Sequence, residues 1–254
     1  MGELQNFGQV ASRQLNGLSD VEKIFHEQNP DTQALWRVKN GYIELTNTGV
    51  AALPVFNQSF NQQPEFFRKL VSAVRVGAHF DCEVTDLRAS GKQPEVASQV
   101  FASACSIGYS RHPNEPWEPI SKIALYGAYE ATFYAHIINE LRWEKRGKSQ
   151  SDRKSCLFLT KLGGGVFANP SRWINDAMIW AERRTRDLFD EIATKNEQEQ
   201  TMTSEDGATT TASKSTNNGR AFQFSALVTH FRETEPGYDD FIRFFNPSIN
   251  NNQQ

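Results

Sequence analysis

The chain contains few cysteines and no long apolar run. Only three cysteines occur in 254 residues, Cys82, Cys105 and Cys156, and they lie far apart within apolar patterns. They form neither a disulfide framework nor the spacing of a metal centre, which favours a reducing compartment. No run approaches membrane-spanning length, and the N-terminus lacks the apolar core of a signal peptide. We therefore expect a cytoplasmic protein without a metal ion and without a membrane partner.

An excess of positive charge is also missing. The chain has 27 Lys and Arg against 30 Asp and Glu, a formal net charge of -3, and no basic cluster stands out. Nucleic-acid binding depends on clustered positive charge, so this balance argues against a nucleic-acid partner. The five histidines form no i, i+4 pair and no cluster with cysteines, so their spacing also predicts no metal centre.

The most informative segment that is present covers residues 155–181, SCLFLTKLGGGVFANPSRWINDAMIWA. An apolar run at 156–159, followed by three glycines at 163–165, predicts a strand buried on both faces, as in a parallel sheet. Asn169 is a good N-cap, and Pro170 suits the first helical position. The helical stripe that follows consists of Ile174, Ala177, Met178, Ala181, Leu188, Phe189 and Ile192. Glycines let a ligand approach the backbone closely, and amides at a helix start bind anions, typically phosphate.

Other elements follow from local patterns along the chain. Asn40-Gly41 is the turn signal of a hairpin across 35–45. Alternation across 74–85 predicts a half-buried strand, and small and apolar residues across 96–110 predict a second, more buried strand. The remaining predicted elements are a weak helical patch at Leu18–His26, a short helix at 64–73 and a long helix from about Trp117 to Arg146. We expect the small residues on one face of the long helix to pack closely against a sheet.

The segment 194–220 lacks aromatic residues and has almost no aliphatic ones. It cannot bury enough apolar surface to offset its ordering entropy, so we expect a disordered surface insertion within one domain. The apolar run at 221–231 predicts one more strand of the same sheet, and 246–254 is a polar tail. We therefore predict a single α/β domain over 1–245, in three layers, with helices on both faces of a mixed sheet.

The glycine loop permits two interpretations besides a phosphate site. Residues 163–168 satisfy G-x-G-x-x-A, the fingerprint of a dinucleotide-binding Rossmann unit, which needs a second strand ending in an acidic residue about 20 positions on. Asp187 and Asp190 lie near that distance, but the helical stripe continues through them to Ile192, so we interpret both as helix-surface residues. The other interpretation is a tight turn without a ligand. Three consecutive glycines count against it, because each carries an entropic cost.

Acidic side chains are candidates for chemistry. Asp81, Glu83 and Asp86 form the densest acidic group, and Asp81 and Glu83 share one strand face. They are either a carboxylate pair that orients water or binds a ribose hydroxyl, or a solvated face of an edge strand. Glu130 lies beside the small-residue stripe of the long helix. Its pattern alone favours an exposed carboxylate with no role beyond helix formation.

Four motifs occur in an order that is typical of one family. They are Gly108-Tyr109-Ser110 after a small-residue strand, Tyr129-Glu130-Ala131-Thr132 in a helix, Leu-Thr-x-Leu-Gly-Gly-Gly-Val-Phe-x-Asn-Pro before Trp173-Ile174, and Val228-Thr229-His230-Phe231 in a last strand. Across roughly residues 74–245 the chain resembles a macrodomain of the poly(ADP-ribose) glycohydrolase-like branch. The nearest group is the arginine-specific macrodomain hydrolases, which include a bacterial effector that removes ADP-ribose from an arginine of ubiquitin.

The resemblance implies a fold and a set of site residues. A macrodomain wraps the diphosphate of ADP-ribose with its glycine loop, and the matching residues here are Gly163, Gly164, Gly165, Val166, Phe167 and Asn169. Phe231 matches an aromatic residue that stacks on the ligand in the glycohydrolase branch. Ala168 stands where the family usually has glycine, which narrows the loop slightly. The tandem-glutamate signature of poly(ADP-ribose) glycohydrolases is missing, so the acidic residues of this chain have to act differently.

The resemblance also implies an activity. We expect the protein to bind ADP-ribose and to hydrolyse mono-ADP-ribose from a protein side chain without a cofactor. The expected linkage is to arginine, and the expected substrate is ubiquitin or another modified protein. In order of preference, Asp81, Asp86 and Glu130 are the candidates for the carboxylate that positions water or holds the ribose hydroxyls. The alternatives are a reader that binds ADP-ribose without cleaving it and a Rossmann-type NAD-dependent enzyme.

Overall fold

A computed structural model of the chain describes residues 16–28, 33–39, 41–85, 96–147, 156–203 and 226–229. Its helices are α1 (Ser19–Gln28), α2 (Asn47–Gln62), α3 (Pro64–Ser72), α4 (Glu118–Lys145) and α5 (Ser171–Thr203). Its strands are β1 (Trp36–Lys39), β2 (Tyr42–Leu45), β3 (Gly77–Glu83), β4 (Val96–Phe101), β5 (Leu157–Thr160) and β6 (Ala226–Thr229). Helices and strands are mixed along the chain, which confirms the α/β class in this coarse form.

The described strands pair two by two. β1 and β2 form the predicted antiparallel hairpin, and β3 pairs antiparallel with β4 across a bulge between His79 and Cys82. β5 pairs parallel with β6, from Leu157 opposite Ala226 onwards. These strands make three separate two-stranded sheets, so within the described ranges the single mixed sheet that we predicted is not formed.

β5, α5 and β6 form a parallel β–α–β unit. Parallel strands need a crossover connection, and α5 supplies it. The first part of the predicted stripe is confirmed, because Ile174, Ala177, Met178 and Ala181 are all 0% exposed. α5 then continues to Thr203, so residues 194–203 are helical and the expectation of disorder is wrong for them. The rest of that segment, 204–220, lies outside the described residues, as does the polar tail.

The burial of two strands differs from its prediction. Leu159 in β5 is 2% exposed, whereas its neighbour Phe158 is 63% exposed, so β5 is buried on one face only. β4 is exposed along most of its length, with Val96 and Phe101 at least half exposed, although a more buried strand was predicted there. Small and apolar composition did not distinguish this strand from the irregular segment after it, where Cys105 and Ile107 are buried.

The longest helices, α4 and α5, pack side by side and run in the same direction. Tyr126 of α4 contacts Trp180 of α5 with ring centroids 5.1 Å apart, and one turn farther along both helices Glu130 lies in the field of Arg184. Gly127 lets α4 approach the end of α3, since a Cβ there would lie 2.6 Å from the carbonyl oxygen of Val71. At Gly127 the small-residue face of α4 therefore meets the end of α3, where a sheet was expected.

Helix α2 was not predicted. Its sequence contains Gly49 near the start and Pro54 in the interior, two residues that normally argue against a helix. Gly49 is required by packing, because a Cβ there would lie 1.9 Å from the carbonyl oxygen of Leu35. The helix buries Leu53 completely and Phe60 almost completely. Tertiary contacts outweigh local propensity in this segment. Within the described part of the chain, no helix combines the length and apolar character needed to cross a membrane.

Candidate functional site

The glycine loop, residues 161–170, connects β5 to α5 and closes on itself through backbone hydrogen bonds. The amide of Asn169 donates to the carbonyl oxygen of Gly163 at 3.0 Å, and the amide of Ala168 donates to that of Gly165 at 2.9 Å. Gly163 has φ 74° and Ala168 has φ 55°, both in the left-handed region that favours glycine. Ala168 therefore occupies a position whose backbone prefers glycine.

Asn169 holds the loop from inside. Its side chain is 4% exposed, and its Nδ2 donates to the carbonyl oxygens of Cys105 at 2.8 Å and Gly163 at 3.3 Å. The predicted N-cap role is wrong, since the carbonyl of Pro170 accepts the first helical bond from Ile174. The amide group of Asn169 supports the loop, and its Oδ1 has no hydrogen-bond partner within the described residues.

The loop packs against the segment between β4 and α4. The amide of Gly108 donates to the carbonyl oxygen of Phe167 at 2.9 Å, and a Cβ on Gly108 would lie 2.2 Å from the carbonyl oxygen of Val166. A Cβ on Gly163 would lie 2.4 Å from the Cβ of Ala104. Two glycines therefore permit this contact, and only one of them belongs to the glycine triplet.

Tyr129 fixes the start of the loop. Its hydroxyl donates to the carbonyl oxygen of Thr160 at 2.7 Å and accepts from the amide of Leu162 at 2.9 Å. Burial raises the pKa of Tyr129, so the hydroxyl keeps the proton that it donates. Sequence analysis named Tyr129 only as part of a motif and missed this function.

The outer side of the loop leaves backbone amides open. Within the described residues, the N–H groups of Gly165, Val166 and Phe167 donate no hydrogen bond. Val166 is 73% exposed, and a Cβ on Gly165 would meet no atom within 4 Å. Adjacent free amides beside the first turn of a helix can donate to the oxygens of an anion.

A cluster of three aromatic rings borders the open side of the loop. Tyr42, Tyr109 and Phe167 meet edge to face, with centroid distances of 5.6 Å between the two tyrosines, 5.8 Å from Tyr42 to Phe167 and 5.6 Å from Tyr109 to Phe167. Tyr42 is 42% and Tyr109 is 60% exposed. Sequence analysis missed this cluster, because its members come from three distant parts of the chain and no local pattern connects them.

Asp81 does not lie beside the loop. Its Oδ2 accepts from Arg142 at 3.3 Å and Arg146 at 3.0 Å, both near the C-terminal end of α4. Arg142 follows Tyr129 by 13 residues of the same helix, or about 20 Å along its axis. Asp81, the preferred candidate carboxylate, is therefore bound at a different part of α4 from the tyrosine that holds the start of the loop. Asp81 sits at the β3 bulge with φ 58°, and its amide donates to Ser98 Oγ at 3.2 Å.

Glu130 lies between α4 and α5. It is 7% exposed and its Oε1 accepts from the Tyr134 hydroxyl at 2.8 Å, so the expectation of an exposed carboxylate is wrong. Burial raises the pKa of Glu130, while Tyr134 and the Arg184 guanidinium act to lower it. Glu130 follows Tyr129 directly in α4, but the two side chains have different partners. Those of Glu130 are Tyr134 of α4 and Arg184 of α5, whereas those of Tyr129 belong to β5 and the loop.

The structure thus brings together the loop residues, and it engages two candidate carboxylates, Asp81 and Glu130, in contacts with other residues. Asp86 and Phe231 lie outside the described residues. Asp187 is on the exposed surface of α5, as predicted. The next described strand after β5 begins only at Ala226, which does not match the spacing of the Rossmann fingerprint. No group of three or more potential metal ligands occurs among the described residues.

Comparisons with known proteins supply no relative. No protein-family model matches the chain, no curated protein matches it, and no solved structure matches it.

Proposed function

We propose that this protein binds ADP-ribose at the glycine loop and hydrolyses it from a protein side chain, with arginine as the preferred linkage and ubiquitin as one possible substrate. A macrodomain-like sandwich is part of the proposal, supported by the β5–α5–β6 unit with the loop at the carboxyl end of β5. Within the described residues Cys82, Cys105 and Cys156 form no disulfide, which agrees with a cytoplasmic location.

The free amides of the loop carry the proposal. Gly165, Val166 and Phe167 present consecutive N–H groups without partners in the described chain, and three residues separate them from the first residue of α5. A diphosphate has several anionic oxygens in a short span, which several adjacent donors can bind together. Hydrogen bonds of Asn169 and Tyr129 to other residues of the protein hold the loop, so little ordering cost is expected on binding.

Hydrolysis needs a carboxylate near the anomeric carbon. A water oxygen attacks that carbon while the carboxylate accepts a water proton, and the bond from carbon to the arginine nitrogen breaks with its electron pair going to nitrogen. The carboxylic acid then passes its proton to the guanidine, which leaves as a guanidinium and restores the carboxylate. Asp81 and Glu130 are held in other contacts, which leaves Asp86 as the remaining predicted candidate for this role. Asp86→Ala should then abolish release of ADP-ribose and preserve its binding.

A non-catalytic reader is the second candidate. It is favoured by one observation: the two predicted carboxylates in the described residues are engaged away from the loop, Asp81 by two arginines and Glu130 by Tyr134. Reader and hydrolase share the loop and differ only in bond cleavage.

Binding is tested by calorimetry with ADP-ribose on the wild type, Gly165→Ala and Gly165→Glu. Gly165 has no positive φ and open space around its Cβ position, so both variants should fold. We expect Gly165→Glu to lose binding, because a carboxylate would occupy the place of the diphosphate, while Gly165→Ala keeps it. Equal affinities for all three proteins would remove the loop from the site.

Cleavage is tested separately with mono-ADP-ribosylated proteins carrying arginine, serine or glutamate linkages. Release of ADP-ribose from the arginine linkage alone is the expected result. Binding without release from any linkage would leave the reader as the function.

A further inference from the structure

We propose that the β1–β2 hairpin forms one wall of the ligand site, where Tyr42 offers a ring for stacking and Lys39 contacts an anionic group. This inference rests on the proposed nucleotide ligand, and it adds residues that lie outside the segment resembling a macrodomain. It follows from the aromatic cluster and from the charges on the same face of the hairpin.

The aromatic cluster joins the hairpin to the loop. Tyr42 contacts both Tyr109 and Phe167, and Phe167 is one of the residues whose amides are open. Neither tyrosine hydroxyl takes part in a hydrogen bond within the described residues, and both rings keep a large exposed fraction. Exposed aromatic faces next to open amides suit a planar ring that is bonded to phosphate, because ring stacking and anion binding then occur side by side.

The hairpin places positive charge on the face that carries Tyr42. Register pairs Lys39 with Tyr42 and Arg37 with Glu44, so all four side chains share one face, opposite the buried Trp36. Directly opposed residues in an antiparallel pair have Cβ atoms about 4.5–5.5 Å apart, which brings Lys39 next to the aromatic cluster.

Glu44 neutralises only part of this charge. It pairs with Arg37 at 2.8 Å and with Lys39 at 3.6 Å, so two cations face one carboxylate. The hydrogen bond from Arg37 holds the pKa of Glu44 below its usual range, so Glu44 is ionised at neutral pH. Lys39 is 60% exposed and forms the longer of the two contacts, which makes it the cation that can turn to an incoming phosphate.

Charge and size together favour a small anionic ligand with a planar ring. A net positive face complements phosphate, and three rings within 6 Å of each other form a small aromatic patch beside it, on which a planar ring can stack. The occupant we infer is the base of a nucleotide whose phosphates contact the loop amides and Lys39.

The test measures affinity by calorimetry for three probes: ADP-ribose, AMP and ribose 5-phosphate. The variants are Tyr42→Ser, Tyr42→Leu, Tyr42→Phe and Lys39→Gln, with Val38→Ser as the control, because Val38 is exposed on the other face of the same strand. Thermal unfolding confirms that each variant is folded. Tyr42→Leu keeps the apolar volume of the side chain, so it replaces Tyr42→Ser in the test if the serine variant fails to fold.

We expect Tyr42→Ser and Tyr42→Leu to weaken ADP-ribose and AMP about tenfold, and to leave ribose 5-phosphate unchanged, since only the first two carry a base. Tyr42→Phe and Val38→Ser should match the wild type. Lys39→Gln should weaken all three probes severalfold, with less effect at high salt.

The outcomes separate this inference from the proposed function. Wild-type binding of ADP-ribose that does not depend on Tyr42 overturns the hairpin site and leaves the function standing. Tyr42-dependent binding of AMP without binding of ADP-ribose supports the hairpin site and overturns the function. Failure to bind any of the three probes overturns both.

Discussion

Two places in the described chain hold a non-glycine residue at positive φ, and they are stabilised in different ways. Ala168 in the glycine loop has φ 55°, and Asp81 at the β3 bulge has φ 58°. The loop is held by neutral hydrogen bonds from the buried side chains of Asn169 and Tyr129. The bulge is held by ion pairs to Arg142 and Arg146, whose side chains are 42% and 51% exposed, whereas that of Asp81 is 19% exposed.

The difference shows that a strained backbone is not sufficient evidence of a functional site. At the loop, the strain accompanies open amides, exposed glycines and a neighbouring aromatic cluster. At the bulge, the strained residue uses its carboxylate to attach the β3–β4 pair to α4. An ion pair with exposed side chains contributes about 0–1 kcal/mol to the free energy of unfolding, and dissolved salt screens it. Buried hydrogen bonds between neutral groups keep their strength in salt. Four predictions test this contrast.

The largest effect is expected for Asn169→Ala. The carbonyl oxygens of Cys105 and Gly163 lose a buried donor, and the free energy of unfolding should fall by about 2–3 kcal/mol. Urea unfolding measures the loss. Asn139→Ala is the matched control at the bulge, because Asn139 accepts a hydrogen bond from Ser98 at a more exposed position, and it should cost less than about 1 kcal/mol. Equal losses in the two variants would contradict the contrast.

Tyr129→Phe should have the next largest effect. It removes one hydroxyl that serves both Thr160 and Leu162, which predicts a loss of about 1–2 kcal/mol in the free energy of unfolding. The loop start also loses its anchor, so affinity for ADP-ribose should fall severalfold under the proposed function. Tyr109→Phe, which removes an exposed hydroxyl, is the control for urea unfolding. A variant as stable as wild type would show that Tyr129 does not anchor the loop.

Glycine substitutions should act with opposite sign at the two strained positions. Ala168→Gly relieves a left-handed alanine and should raise the free energy of unfolding by about 0.5–1 kcal/mol after the entropic cost of glycine. Asp81→Gly should not raise it, because aspartate tolerates this conformation better and the ion pairs to Arg142 and Arg146 are lost. Melting temperatures of both variants measure the signs. Stabilisation by Asp81→Gly would mean that the arginines do not hold the bulge.

The smallest effect is expected for Asp81→Asn. Asparagine also tolerates positive φ, so the change removes mainly exposed ion pairs and should cost about 0.5 kcal/mol at low salt. In about 1 M NaCl the loss should vanish, while the loss caused by Asn169→Ala should persist. Denaturant unfolding at the two salt concentrations measures both. A salt-independent loss of several kcal/mol at Asp81 would assign the bulge a buried electrostatic role.

Several elements could be predicted because their signals are local. The hairpin, the strand β5, the start of α5 and the helix α4 follow from turn residues and from hydrophobic period. The buried stripe beginning at Ile174 was also visible in the pattern. Prediction failed at α2, where Gly49 and Pro54 indicate a break, and at β4, where composition indicates burial. Both failures arise from packing between elements that are distant in the chain.

The position of the acidic residues could not be predicted for the same reason. Glu130 follows Tyr129 in sequence, but successive residues of a helix point about 100° apart, so one faces α5 and the other faces β5. Asp81 of β3 is bound by Arg142 and Arg146 near the C-terminal end of α4. Strand order alone does not show how far along α4 this contact lies from Tyr129.

By itself, the sequence determined the strand, the glycine loop and the helix, because glycine freedom and a helical stripe act over a few residues. Only the tertiary structure decided that Asn169 holds the loop from inside instead of capping the helix, and that Tyr42 meets Phe167 beside it. These contacts depend on how separate elements pack, and the free energy of packing is shared among side chains that no local pattern connects.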